Sequence, residues 1–217
     1  AEGLGGELGD GTSTFMQTSP ANYVSGLSSG VQAIAAGENH TCALTTGGGV
    51  KCWGQHGSGQ LGNVGGMGTC SNVPVNVSGL TSGVQKIASG GANSCALTTG
   101  GAVKCWGNDY YGQLGAGTQY AHSATPKNVV GLSSGVVDIS INGYSACAVM
   151  ASGGVKCWGD NDEGQLGNLS TTDSTVPVDV QSLGSGVASV AVGFNHACAR
   201  LVDGRVKCWG DREELGV

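Results

Sequence analysis

The strongest constraint on the fold is a set of eight cysteines arranged as four pairs with one spacing. The pairs are Cys42 and Cys52, Cys95 and Cys105, Cys147 and Cys157, and Cys198 and Cys208. Zinc ligands usually lie only about two to four residues apart in each half-site, whereas this wider spacing suits the two arms of a β-hairpin. We therefore predict one cross-strand disulfide per pair. The alternative is that the cysteines are reduced and fill the core as small apolar residues.

The first pair shows how such a hairpin would be built. A turn at Gly47 places Cys42 opposite Cys52 and Leu44 opposite Val50, so that all four side chains share one face of the hairpin. Closing a loop of about eleven residues stabilises a fold by about 2.5 to 3 kcal/mol per bridge in the chain-entropy description. Four disulfides imply an oxidising compartment, which favours an extracellular or cell-surface location.

The hairpins belong to a longer repeat. Cys-Trp-Gly recurs with its tryptophan at Trp53, Trp106, Trp158 and Trp209, and a period near fifty residues is typical of a propeller or an array. Each unit has a Pro-containing extended segment, a Gly-rich turn, an alternating strand and the hairpin. We predict one all-β repeat domain, 1–217, of β-propeller type, with four blades of about four antiparallel strands and one hairpin disulfide per blade. The approximate units are 1–54, 55–107, 108–159 and 160–210, with 211–217 beginning the next.

Three motifs of the repeat carry a family resemblance. The segments His40-Thr-Cys-Ala-Leu44, Val50-Lys-Cys-Trp-Gly54 and Gly59-Gln-Leu-Gly62 resemble the repeat of the regulator of chromosome condensation family, in its secreted bacterial, disulfide-bearing form. The resemblance implies a propeller that serves as an exchange factor, a photoreceptor, an enzyme inhibitor or a surface module. Such propellers usually have about seven blades. Four units therefore indicate a piece of a longer propeller, or open ends that meet neighbouring subunits in a ring or filament, with a compact four-bladed ring as a third alternative.

Aromatic residues mark a candidate protein-binding surface. The second polar loop contains Tyr110, Tyr111, Tyr120 and His122, and two of the turns before the hairpins contain Tyr144 and Phe194. Tyrosine favours interfaces because it offers apolar area and a hydroxyl group together. The alternative is that these are scattered surface aromatics.

Acidic residues and histidines suggest weaker site hypotheses. The loops after Trp-Gly hold nine of the fifteen acidic residues, which predicts an acidic rim. Asp160, Asp162 and Glu163 are a weak candidate for calcium, but we favour a solvated turn because the segment lacks the spacing of a known calcium loop, and we expect no cofactor. His40 and His196 occupy one repeat position, which indicates a hydrogen-bonding role in the turn rather than catalysis.

Composition and missing motifs exclude several classes of protein. The net charge is −6 with nine Lys and Arg in total, and no basic cluster predicts a nucleic-acid surface. No window approaches the roughly 18 apolar residues that a membrane span requires. Nucleophile elbows, phosphate loops and zinc-protease motifs are missing, so we predict that the chain is not an enzyme.

Cys70 lies outside the four pairs, in the longest loop. An odd cysteine in an oxidised protein is equally compatible with an intermolecular bond, with a bond to a cysteine beyond this chain and with a retained thiol. The sequence as a whole predicts an extracellular structural or binding module that assembles head to tail through open blade ends. The alternative function is a propeller that docks a partner protein, as an inhibitor of a secreted enzyme or, ranked lower, as a GTPase exchange factor.

Overall fold

The computed structural model describes residues 5–12, 22–65, 68–117, 119, 122–211 and 213. Its strands form four antiparallel sheets, which are the predicted blades. Blade 1 contains β1 (Val31–Ala36), β2 (His40–Thr45), β3 (Val50–Gly54) and β4 (Ser71–Asn76), and blade 2 contains β5 (Val84–Gly90), β6 (Asn93–Thr98), β7 (Val103–Gly107) and β8 (Ser123–Asn128). Blade 3 contains β9 (Val136–Asn142), β10 (Ser145–Met150), β11 (Val155–Gly159) and β12 (Ser174–Asp179), and blade 4 contains β13 (Val187–Val192), β14 (His196–Leu201) and β15 (Val206–Gly210).

The hairpins have the predicted register. Cys42 lies opposite Cys52 and Leu44 lies opposite Val50, and the other three hairpins repeat this pairing of cysteines. Disulfides join Cys42 to Cys52, Cys95 to Cys105, Cys147 to Cys157, and Cys198 to Cys208. One hairpin disulfide per blade is therefore confirmed. The described residues contain no helix long and apolar enough to cross a bilayer.

The sheets are offset from the units defined by sequence. The Pro-containing segment, which we placed first in each unit, forms the fourth strand of the preceding hairpin's sheet, so that Lys51 of β3 lies opposite Asn76 of β4. A register shift between Cys52 and Gly54 accompanies Pro74. Proline is tolerated here because β4 is the outermost strand and no further strand needs its missing N–H group.

Successive blades pack face to face through a recurring pair of surfaces. On blade 1, the face that carries Cys42, Leu44 and Cys52, which we call the disulfide face, packs on blade 2. The contacted face of blade 2 carries Ile87 and Trp106, and we call it the tryptophan face. The same pairing joins blade 2 to blade 3 and blade 3 to blade 4. Each internal interface is therefore a disulfide face buried against a tryptophan face, and the core lies between sheets.

A loop from the preceding unit fixes each tryptophan. The indole Nε1 donates to a backbone carbonyl in the Gly-Gln-Leu-Gly loop or its counterpart, at 2.8 to 2.9 Å, in the pairs Trp53 with Glu7, Trp106 with Gln60, Trp158 with Gln113, and Trp209 with Gln165. Gly62 has a φ of 70°, and a Cβ there would lie 2.9 Å from the Trp106 Nε1. Only glycine allows this approach without strain.

Candidate functional site: an aromatic rim beside three carboxylates

Four of the predicted binding residues form one row, which we call the aromatic rim. Tyr110 and Tyr111 follow β7, Tyr144 lies in the turn between β9 and β10, and Phe194 lies in the turn between β13 and β14. Ring centroids are 5.1 Å apart for Tyr110 and Tyr111, 4.8 Å for Tyr111 and Tyr144, and 5.8 Å for Tyr144 and Phe194. The rim therefore crosses three blades, and its two end residues, Tyr110 at 55% and Phe194 at 54%, are more than half exposed.

Local backbone geometry holds the rim in place. The Tyr110 N–H donates to Asn108 Oδ1 and the Tyr111 N–H donates to Gln113 Oε1, both at 2.8 Å. Gly143, with a φ of 53°, lies under the Phe194 ring, and a Cβ at this position would come within 3.1 Å of that ring. A glycine at position 143 therefore lets the Phe194 ring lie this close to the turn.

Three carboxylates lie beside the rim. One carboxylate oxygen from each of Asp160, Asp162 and Asp173 lies within 4.8 Å of the others. Partial burial, followed by the negative charge of Asp160, raises the pKa of Tyr111. Burial also raises the pKa of Asp160, and the charges of Asp173 and Asp162 act in the same direction. In the part of the chain that the structure describes, no Lys or Arg forms an ion pair with these three carboxylates.

The carboxylate cluster differs from the predicted one. Asp173, rather than Glu163, joins Asp160 and Asp162. The Glu163 N–H instead donates to Gln165 Oε1 at 2.9 Å, within its own loop. Asp173 comes from the far end of the loop, where its Oδ1 accepts the Asn161 N–H at 2.9 Å. Calcium binding stays a prediction.

The remaining aromatic-loop predictions separate from the rim. His122 lines a groove of about 380 Å³ with Asp109 and Lys127, and none of the four rings lines this groove. Tyr120 lies outside the described residues. Four of the six residues predicted for one surface therefore form the rim, and His122 lines this separate groove.

Buried polar residues inside the loops were not predicted. His56, Asp109 and Asn161 occupy one loop position and are all buried. Each accepts a backbone N–H from the leucine five residues later, in the pairs Leu61 with His56, Leu114 with Asp109, and Leu166 with Asn161. Burial lowers the pKa of His56. The predicted acidic rim therefore has one exposed carboxylate fewer, because Asp109 is buried in its loop and accepts the Leu114 N–H there.

His40 forms a hydrogen bond, as predicted, but to the next blade. Its Nε2 lies 2.8 Å from the Ser94 Oγ, and burial lowers its pKa to about 4. A Cβ at Gly37 would overlap the His40 ring, and one at Gly193 would overlap the ring of His196. Both histidines therefore pack over a glycine of their own turn.

Cys70 lies outside the four disulfides and is partly buried. Burial, and after it the negative charge of Glu7, raises the pKa of its thiol. Less thiolate at neutral pH makes a thiol slower to oxidise or alkylate. The intermolecular bond, a partner cysteine beyond this chain and the retained thiol stay alternatives for Cys70.

The first and last blades each leave one packing face open among the described residues. On the tryptophan face of blade 1, Ile34 is 72% exposed, whereas Ile87 at the same position of blade 2 is 7% exposed. On the disulfide face of blade 4, Val206 is 62% exposed, whereas Val50 of blade 1 is 2% exposed. The two open faces are of the two kinds that pack together inside the molecule.

Four successive antiparallel sheets, the repeated hairpin and the face-to-face packing of neighbouring sheets define a repeat protein of β-propeller type. Two models of the repeat family described as the regulator of chromosome condensation (RCC1) repeat match the chain, one at residues 31–60, 84–113 and 136–165, the other at 101–149 and 152–200. The chain belongs to the RCC1 repeat family.

Relatives share the fold over most of this chain. The human E3 ubiquitin-protein ligase HERC2 is 39% identical over 204 residues, which cover 91% of this chain and 4% of HERC2. The crystal structure of human WBSCR16 has a TM-score of 0.71 and 26% identity, covering 83% of this chain and 47% of that one. Prp20p of Saccharomyces cerevisiae has a TM-score of 0.71 and 25% identity, covering 83% and 45%. This chain spans less than half the length of each of these relatives.

Proposed function

We propose that this chain is a protein-binding propeller module whose docking surface is the aromatic rim. The observation that carries the proposal is a row of four rings across three blades, open at both ends and flanked by three carboxylates without a Lys or Arg partner among the described residues. Aromatic residues are enriched at the centres of protein interfaces because each ring buries a large area with few rotatable bonds. Prp20p, for which binding to Gsp1p and histones has been described, offers a precedent for partner proteins.

The chemistry of the rim favours a basic segment of the partner. Arg and Lys side chains stack on tyrosine and phenylalanine rings, and carboxylates beside those rings add Coulomb attraction. The net charge of −6 draws a basic partner towards the chain during encounter. The four disulfides support an oxidising location outside the cell, and the proposed role is one of binding without turnover.

Peptide selection tests this function. We expect peptides selected from a random display library on the whole chain to be rich in Arg or Lys together with an apolar residue. Replacing both Tyr111 and Phe194 with serine should lower the affinity for the selected peptides at least about tenfold, because a cation of the peptide can no longer stack on either ring. The affinity should also fall as salt rises.

Val137→Ser is the matched control, because Val137 is exposed to a similar degree as Phe194 but lies on β9, outside the rim. It should leave the affinity unchanged. Selected peptides without basic residues, or peptides that bind the Tyr111→Ser, Phe194→Ser variant as well as the unaltered chain, would refute the proposal.

The open blade faces favour a second function, head-to-tail self-association. The disulfide face of blade 4 fits the kind of surface that blade 1 presents, since three internal interfaces join these two faces. We expect the mass of the unaltered chain in sedimentation velocity to rise with concentration. Ile34→Asp and Val206→Asp should each give monomers, because a charge would be buried in the contact.

Mixing the two variants sharpens this test. Ile34→Asp keeps a working blade 4 face and Val206→Asp keeps a working blade 1 face, so the mixture should form dimers and nothing larger. Val137→Asp is the control and should assemble like the unaltered chain. A chain that stays monomeric at every concentration would rule out self-association.

A further inference from the structure

A lysine of the hairpin holds the fourth strand in each of the first three blades. Lys51 donates to Asn76, Lys104 to Asn128, and Lys156 to Asp179, with Nζ to Oδ1 distances of 2.8, 2.6 and 2.7 Å. In each blade the two residues are direct partners in the register of the third and fourth strands. The fourth strand is thus recognised by an oxygen acceptor at one fixed position.

In the part of the chain that the structure describes, the corresponding lysine of blade 4 has no such partner. Lys207 Nζ instead reaches the Ser182 backbone oxygen at a long 3.4 Å. Among the described residues, β15 pairs with β14 alone. Cys208 on the same strand is exposed, whereas Cys52, Cys105 and Cys157 are fully buried. The edge of β15 therefore offers backbone groups and a cation to an incoming strand.

The space for that strand is already formed. In the preceding blades, a Cβ on Gly59 would lie 2.7 Å from the Ala124 backbone, and one on Gly112 would lie 2.8 Å from Thr175, because a fourth strand crosses each glycine. Gly164 is the next glycine of this series, and a Cβ there would meet no described residue within 4 Å. A groove of about 600 Å³, lined by Gly164 and Trp209 among others, lies at this place.

The sequence contains one more Pro-containing segment of this type than the described sheets use. The chain has four prolines, and each stands two residues before an Asn or Asp: Pro20 before Asn22, Pro74 before Asn76, Pro126 before Asn128, and Pro177 before Asp179. The last three segments are β4, β8 and β12. The segment 17–22 differs from them in having Gln17, where each of the others has a serine, and Tyr23 follows it as an extra residue before Val24.

We propose that the open site on blade 4 binds residues 17–22 of a second copy of this chain as its fourth strand, with Lys207 donating to Asn22. This inference rests on the head-to-tail contact proposed above and names the segment that completes it. Asn22 lies beside blade 1, where its Nδ2 donates to Asp10 Oδ2 at 2.9 Å. A blade 4 packed on the blade 1 face of another copy would therefore lie next to that copy's Asn22.

A peptide titration tests the site. The probe is a fluorescein-labelled synthetic peptide of residues 17–24, titrated with the full chain at low concentration and followed by fluorescence polarisation. We expect saturable binding, weakened about tenfold by Lys207→Met, because a charge-assisted hydrogen bond is lost. Replacing Asn22 of the peptide with leucine should weaken binding equally, and combining both changes should add little. Lys127→Met, at an exposed lysine outside this site, is the control.

The outcomes separate this inference from the proposal on which it rests. Peptide binding that depends on Lys207, in a chain that stays monomeric, would support the strand site and overturn head-to-tail assembly. Assembly that persists unchanged in both Lys207→Met and Asn22→Leu would keep the contact and overturn strand exchange. Binding of a peptide with the β12 sequence but not of the 17–24 peptide would overturn the assigned occupant.

Discussion

Replacing Trp106 with alanine is expected to lower the free energy of unfolding by about 4 kcal/mol, which is the range for a buried aromatic truncated to alanine. Trp106 is fully buried between blades 1 and 2, and its indole satisfies the Gln60 carbonyl. Truncation leaves both a cavity and a carbonyl without its donor. The loss should be measured by urea unfolding, followed by circular dichroism.

Trp209 provides the matched control, because it makes the same hydrogen bond, to Gln165, on the last blade but remains partly exposed. Trp209→Ala should cost about half as much as Trp106→Ala, since less area leaves contact and the loop can relax. Equal losses in the two variants would contradict the deeper burial of Trp106 between blades 1 and 2.

Acid is expected to destabilise the chain through His40 by up to about 3 kcal/mol. The pKa of His40 falls from 6.5 to about 4 because burial disfavours the charged ring. The unfolded chain therefore takes up a proton at a higher pH than the folded chain does. The contribution is fully present above pH 6.5, declines as the pH falls below that value, and is lost completely below about pH 4.

A variant isolates this effect from the carboxylates that also titrate in acid. Asn93 holds the position of His40 in blade 2, where it is buried opposite Gly107, so His40→Asn is a substitution that the fold already accommodates. The free energy of unfolding of both proteins should be measured from pH 7.5 to pH 4. The curves should converge or cross as the pH falls, and parallel curves would show that His40 does not carry the acid sensitivity.

The sequence was informative where structure depends on local spacing. Cysteines placed symmetrically about Gly47 left one register for the hairpin, and that register is observed. The boundary between blades could not be read in this way. Whether the Pro74 segment pairs with the hairpin before it or after it depends on which sheet edge it reaches, and this depends on packing between units rather than on spacing.

The candidate site was only partly predictable for the same reason. Tyr110 and Tyr111 were neighbours in sequence, but their contact with Tyr144 depends on how blades 2 and 3 are rotated relative to each other. Asp173 joined the carboxylates because the loop folds back on Asn161, whose amide donates to two carbonyls near its far end. A buried amide inside a polar loop leaves no periodic signal in the sequence.

Hydrogen–deuterium exchange of the chain, with and without a selected basic peptide, tests the central claim most directly. Binding at the aromatic rim predicts slower exchange in 108–113, 143–145 and 193–195, the turns that carry its four rings. Exchange elsewhere, including β1 and β15 at the two open faces, should stay unchanged. Protection confined to those two strands, with the three turns unaffected, would contradict the assignment of the rim as the docking surface.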